Sequence, residues 1–505
     1  MSQTPFLVLD PAIAEPLPSG EPPQPTAYLG DRILVRGLPG HGQEAPLELL
    51  KKVADELGLR VRDTDERLGK VALELGRFAE ALDAAWVTSF QLVDPEGGRV
   101  DAWPVLQRAR RVDPEVARGL QLDHVLGLAG AGYQSMPYYV SMPYYVSMPY
   151  YVSMPYYVSM PAAAAEYQRP GTGGRTPANL VLPDPALRRR RLKRQPLVVV
   201  PDTAWGSHPW FADPAQATDE VYAMGLRLGL GGDVPADLPA APHNPLDGAV
   251  PPAAGHSTFI AGLIRQVCPE ARLQLVPLVD DAGTMPEGVF TQVLALLLAR
   301  QLQVAAGAED QGQWIDVISL SLGYYHEDAD DQLEDAPLRV CLREFGRLGV
   351  LVVASAGNQA TTRPLYPAAF AGQTEPAFEA DRVPLVSVGA LNPDGVTVAY
   401  FSNAGSWVSC HRPGAALVST LPVTLDGELQ PTAAMEIDGV RRATIDHDDF
   451  TGGFGTWSGT SFAGPVLAGE LAARLAADQS LPLTDRATAT KRAWQALGHE
   501  IGWRP

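Results

Sequence analysis

Gly459-Thr460-Ser461-Phe462-Ala463-Gly464-Pro465 is a turn of small residues that opens a helix. Pro465 suits a first helical turn, where backbone N–H groups have no intrahelical partner to lose. Ser461 falls at the helix start, where free N–H groups and the positive end of the helix dipole favour negative charge. Beyond it, Leu467, Leu471 and Leu475 share one face, so the helix is expected to lie against a core. Alone, the stretch reads as a capped core helix.

Working outward, three further segments change that reading. Val198-Val199-Val200-Pro201-Asp202-Thr203-Ala204 is an apolar strand ending in a carboxylate. His256-Ser257-Thr258-Phe259-Ile260-Ala261-Gly262 starts a second helix, and Val352-Val353-Ala354-Ser355-Ala356-Gly357-Asn358 is a strand running into a glycine turn. Asp, His and Ser follow one another in the chain order of subtilisin, unlike chymotrypsin or the α/β-hydrolases. These four segments resemble the subtilase family of serine peptidases, over roughly residues 196–478. The resemblance implies that Ser461 is the nucleophile, His256 its general base and Asp202 the group orienting the histidine. It further implies an oxyanion hole built from the Asn358 side chain and the Ser461 backbone N–H. Ser321-Leu322-Gly323 matches the family strand that pairs with extended substrate, and with Ser355-Ala356-Gly357 would wall the pocket for the residue before the cut. Ala204 and Ser257 stand where the family uses glycine, and Pro201 removes a backbone donor.

Strand-like runs at 197–200, 273–279, 317–322, 350–354 and 385–388 alternate with helical patterns at 256–267, 288–301 and 338–348. That order predicts a doubly wound α/β fold, its mainly parallel sheet covered on both faces. Before it, residues 28–130 read β-α-β-β-α-β, a small ferredoxin-like α+β domain, with 67–82 ambiguous between helix and strand. Residues 1–27 are proline-rich and read as a flexible lead-in. Residues 131–196 read as a linker. It holds four copies of Ser-Met-Pro-Tyr-Tyr-Val at 135–158 and the basic run Arg188-Arg189-Arg190-Arg191-Leu192-Lys193-Arg194, expected to be a solvated tether or a processing site. The peptidase domain is expected over 197–505. The acidic stretch from Glu327 to Asp335 lacks the spaced calcium-loop pattern and reads as solvated.

Composition narrows the function classes. The 505 residues carry a formal net charge of −19, which opposes nonspecific nucleic-acid binding. Cys268, Cys341 and Cys410 are three well-separated thiols, with neither a disulfide framework nor metal-ligand spacing. The first residues lack a basic, then apolar, export signal, and the most apolar helix candidate, 289–298, is too short to span a bilayer, so the cytoplasm is the expected compartment. No cofactor is expected; structural calcium is compatible with the family, but the sequence places no site for it. The expected activity is a serine endopeptidase acting on protein or peptide substrates, with 28–130 as an intramolecular inhibitor or a permanent regulatory domain. A catalytically silent binding protein on the same fold is the alternative, and an esterase-like hydrolase a third reading.

Overall fold

The computed structural model describes residues 6–64, 66–128, 174–180, 183–234, 250–279, 283–307, 311–328, 333–371, 379–428, 430–478, 483 and 485–505. The Ser-Met-Pro-Tyr-Tyr-Val repeats lie outside them.

The N-terminal part comprises β1 (Phe6–Val8), β2 (Ala27–Arg36), α1 (Glu44–Glu56), β3 (Arg60–Asp63), α2 (Glu66–Glu74), α3 (Ala79–Leu82), β4 (Val87–Val93), α4 (Ala102–Val112) and β5 (Leu120–Leu128). Its antiparallel sheet runs β5-β2-β4-β3, the ferredoxin-like order. The ambiguous stretch is helical: α2, a 3₁₀ turn and α3, with Leu75 and Leu82 buried. α1 and α4 cover one face of the sheet through Leu50, Val53, Trp103 and Leu106. Asp101 caps α4 by accepting from the Trp103 N–H at 3.0 Å. The expected flexible lead-in is corrected from residue 6 onward. β1 pairs with β2, Leu9 and Leu17 are buried, and the Glu15 carbonyl accepts from the Trp103 indole N–H. Apolar anchors spaced among the prolines hold this segment down.

The larger body begins with a short strand, β6 (Thr176–Pro177), and then the central strand β7 (Leu197–Thr203). There follow β8 (Ala217–Thr218), β9 (Val221–Ala223), β10 (Leu226–Leu228), α5 (His256–Val267), β11 (Arg272–Val279), β12 (Thr284–Pro286) and α6 (Glu287–Ala305). The chain continues through β13 (Val317–Leu320), β14 (Leu322–Gly323), α7 (Pro337–Arg347), β15 (Leu351–Ser355), β16 (Val386–Leu391), β17 (Cys410–Pro413) and β18 (Leu417–Thr420). It ends with the exposed hairpin β19 (Ala434–Ile437) and β20 (Val440–Ala443), then β21 (Phe454–Trp457), α8 (Thr460–Ala477) and α9 (Arg486–Glu500).

Seven parallel strands run β17-β16-β15-β13-β7-β11-β8. The chain builds to one side of β7 and then returns to the other, so the switch point lies between β7 and β13, where such sheets bind ligands. Pairing of β7 with β13 ends at Val199, so Pro201 falls where β7 keeps only its β11 neighbour. α5 and α8 cover one face, and α6 and α7 the other.

α6 is longer than the sequence suggested. At 19 residues, with mean hydropathy 1.3 over its most apolar window, it is the one helix among the described residues long and apolar enough to cross a membrane, and 78% of that window is buried inside the protein. It needs no polar face because the N-terminal sheet covers its outer side. The Gln292 side chain donates to the Val87 carbonyl, and a Cβ on Gly288 would stand 2.6 Å from Leu34.

Two further segments depart in part from expectation. The basic run is largely exposed, as expected of a solvated tether, but it is tied down at two points: Arg190 bonds Glu270 at 2.5 Å, and Arg194 grips Asp316 with two bonds of 2.9 and 2.7 Å. Glu327, expected on a solvated loop, is fully buried. Most telling for function, β5 leaves its own domain's helices and runs antiparallel between β12 and β14. Gly127 pairs with Thr284 on one side and Gly323 on the other, and Leu128 with Leu322.

Candidate active site

Asp202 lies near the carboxyl end of β7, and His256 is the first residue of α5. Gly255, with φ +79°, makes the left-handed turn that delivers the histidine. Ser257 and Ala204, at the family's glycine positions, are outside the left-handed region; instead the Ser257 hydroxyl donates to the Ala204 carbonyl at 3.0 Å, tying the two segments together. His256 Nδ1–H donates to the Asp202 carboxylate, at 2.8 and 3.0 Å to its two oxygens. Both residues are at most 1% exposed. Trp457 stands edge-on to the imidazole at 5.5 Å and Phe462 packs against it at 5.2 Å. His256 Nε2 is buried and has no hydrogen-bond partner among the described residues.

Ser461 lies in the first turn of α8, as expected. Its hydroxyl donates to the Ser321 carbonyl at 3.4 Å, and the Ser321 hydroxyl donates back to the Ser461 carbonyl at 2.9 Å. Asn358 follows β15. Its Oδ1 accepts from the Thr460 N–H at 2.8 Å and the Thr460 hydroxyl at 2.9 Å. Because a backbone N–H can only donate, that bond fixes the amide orientation and turns Nδ2 away from Thr460. Nδ2 is buried without a hydrogen-bond partner, 3.2 Å from where a Cβ on Gly459 would be. Gly357, at φ +103°, has no room for a side chain: a Cβ would meet Asn403 Nδ2 at 2.4 Å. The structure thus gathers Asp202, His256, Ser461 and Asn358 at one edge of the sheet. Ser321, Leu322 and Gly323 lie beside them, and Ser355 and Gly357, on either side of Ala356, are bound to the start of α8. The Ser355 hydroxyl donates to the Thr460 carbonyl at 2.8 Å, and the Gly357 N–H to the Thr460 hydroxyl at 3.0 Å.

Two elements escaped the sequence reading. Thr460 is the hub joining Asn358 to Ser461; its only signal was its place between the glycine and the serine. β12 is the second wall of the cleft, and Thr284-Met285-Pro286 looked like nothing more than the approach to a helix.

Where β5 enters the cleft, Asp123 and His124 meet the body. Asp123 accepts from the Gly288 N–H at the start of α6, at 2.9 Å, and burial pushes its carboxyl up to about 6. His124 Nδ1 contacts Glu287 at 2.6 Å and Nε2 contacts Glu327 at 2.9 Å. Burial alone would depress this imidazole, but the two carboxylates outweigh it and raise its pKa to about 10. Burial likewise opposes ionisation of Glu327, yet His326, His124 and Arg110 together hold it well below the usual range. The thiols are inert by comparison, burial pushing Cys268 up to about 12 and Cys410 to about 11.

Comparison with known proteins agrees with this geometry. Residues 253–498 match the Subtilase family model. A curated relative, the subtilisin-like protease het-Q2 of Podospora anserina, is 35% identical over 127 residues, which is 25% of this chain and 30% of het-Q2. The matched stretch therefore spans under a third of that relative's length. Among solved structures, fervidolysin from Fervidobacterium pennivorans aligns with a TM-score of 0.47 at 18% identity, over 91% of this chain and 56% of that one. A cold-adapted subtilisin-like serine proteinase aligns with a TM-score of 0.35 at 19% identity, over 64% of this chain and 90% of that one. The family model matches from just before His256 to beyond Ser461, so that part of the chain is similar to the subtilases.

Proposed function

We propose that the chain is an active serine endopeptidase using Asp202, His256 and Ser461 as a triad and Asn358 in the oxyanion hole. The observation that carries this reading is a pair of buried, unpartnered polar atoms, His256 Nε2 and Asn358 Nδ2, beside the helix start that bears Ser461. A buried polar group without a partner is costly, so two of them near the start of the helix that bears Ser461 suit a reacting group that completes them. The Ser461 hydroxyl rests on the Ser321 carbonyl. A substrate strand paired along β14 would claim that carbonyl for its own N–H and release the hydroxyl toward His256 Nε2. The imidazole then takes the serine proton as Oγ attacks, Asp202 stabilises the imidazolium, and the proton passes to the leaving amine. Asn358 Nδ2 and the Ser461 N–H would meet the developing oxyanion.

The N-terminal domain is read as an intramolecular inhibitor. β5 lies between β12 and β14 as an added strand, the mode by which extended peptides are held through main-chain bonds. The ion-paired run 188–194 is a poor cutting site, so removal of the domain would require a cut between Leu128 and that run.

A fluorophosphonate label and an internally quenched peptide test the reading together. Labelling and peptide turnover, both lost in folded Ser461→Ala, are expected. A chain that neither labels nor turns over peptide after removal of residues 1–128 would instead be a silent binding protein. Turnover of small esters without peptides would favour the esterase reading.

A further inference from the structure

β5 carries one histidine into the domain junction, and the body meets it with a second histidine and a glutamate. His124, His326 and Glu327 are all buried, and one ligand atom from each lies within 4.8 Å of the others. His124 Nε2 is 2.9 Å from Glu327 Oε2, and His326 Nε2 is 3.4 Å from the same oxygen. Donors held at about 2.0–2.1 Å from a tetrahedral ion stand roughly 3.3 Å apart, so small side-chain shifts bring these three onto one centre.

The far side of each group is already fixed. His124 Nδ1 bonds Glu287 Oε2 at 2.6 Å, Glu327 Oε1 accepts from Arg110 at 3.1 Å, and His326 Nδ1 accepts from the Asp328 N–H at 3.1 Å and lies 3.2 Å from the Asp328 carbonyl. The Tyr324 ring stacks on His124 at 4.5 Å. A carboxylate behind a ligating imidazole sets its tautomer and its orientation. An ion that displaces the proton between His124 Nε2 and Glu327 leaves Nδ1–H aimed at Glu287 and turns the Nε2 lone pair to the point where His326 and Glu327 converge. A proton shared between His124 and Glu327 would need no third group. His326 Nε2, turned to the same carboxylate oxygen, brings a second imidazole nitrogen to that point.

We infer that His124, His326 and Glu327 form a binding site for one divalent transition-metal ion of the zinc type, with Glu287 supporting His124. Two imidazoles and one carboxylate suit Zn²⁺ or Co²⁺, whereas Ca²⁺ and Mg²⁺ take oxygen ligands. One ligand comes from the N-terminal domain and two from the body, so the ion joins them and the site exists only while β5 is docked. Nothing in this assignment requires Ser461 to be active.

The test uses the full-length chain carrying Ser461→Ala, which keeps the two parts covalently joined. The protein is stripped with a chelator and titrated with Co²⁺, followed by Zn²⁺. One equivalent of Co²⁺ should bind at micromolar concentrations with the strong visible absorption of a four-coordinate ion, and Zn²⁺ should displace it. His326→Gln leaves the His124–Glu287, His124–Glu327 and Arg110–Glu327 contacts in place, so the metal-free chain should stay folded with a modest fall in Tm while Co²⁺ affinity falls at least 100-fold. Glu287→Gln should weaken binding by about 10–100-fold. Absence of stoichiometric Co²⁺ or Zn²⁺ binding, only the weak colour of a six-coordinate ion, or unchanged affinity in His326→Gln would each overturn the assignment.

Discussion

His256 and His124 are each buried against carboxylates, and they do opposite things. His256 gives one nitrogen to Asp202 and leaves the other without a partner. His124 gives one nitrogen to Glu287 and the other to Glu327. Both rings are 1% exposed, so burial does not distinguish them. The open nitrogen does: a base needs a free lone pair facing the reacting group, whereas a fastener needs every lone pair and proton engaged. In this chain the histidine proposed as the base is the less satisfied of the two.

Exchanging each histidine for glutamine is the sharpest way to break that comparison. His256→Gln should cost on the order of 10⁵–10⁶ in kcat, as removal of a triad member does, while leaving β5 docked. If His256→Gln kept substantial turnover, its open nitrogen would have no catalytic meaning. Asn358→Ala should lower kcat by ~10²–10³ with little change in KM, because the lost donor acts on the transition state. A change confined to KM would move Asn358 from the oxyanion to substrate binding. His124→Gln leaves two buried carboxylates short of a cation, at a cost of about 3–5 kcal/mol. Spread over docking, that is a rise of up to ~10²–10³ in the fluorophosphonate labelling rate of the full-length chain. An unchanged labelling rate would mean that the His124 contacts do not hold the strand in the cleft.

The smallest effect concerns another buried histidine. His208 sits among Trp210, Phe211 and Phe454, and burial lowers its pKa to about 4. Its unfolded value is near 6.5, so the unfolded chain binds the proton first as pH falls. Its share of stability is therefore complete above about pH 6.5 and is lost progressively toward pH 4. His208→Asn keeps an acceptor for the Trp210 N–H and should flatten the Tm decline across that window, by an amount on the order of 1–2 kcal/mol. Parallel Tm curves for the two proteins would assign the acid sensitivity elsewhere.

Much of the catalytic edge was legible because its requirements are local. A glycine before a helix, a carboxylate ending an apolar strand and a serine in a small-residue turn each leave a mark within a few positions. The parallel sheet was legible for the same reason, through runs of buried apolar residues such as Val198, Val199 and Val200. The junction was not. His124 lies 163 positions from Glu287 and 203 from Glu327, so nothing near it in the sequence announces its partners. The ties on the basic run were hidden in the same way: clustered arginines give no sign of the distant carboxylates, Glu270 and Asp316, that Arg190 and Arg194 meet. In α6, apolarity on every side recorded a burial that only the second domain completes.

That helix would matter most if the N-terminal domain were cut away. With residues 6–128 removed, α6 would show water a side with no polar row to meet it, and β12 and β14 would become bare strand edges. Uncovered apolar surface and unpaired edges are the features by which proteins stick to one another. Freed peptidase would thus be a self-associating species, and its working lifetime would be set by dilution and by the supply of extended substrate to occupy those edges.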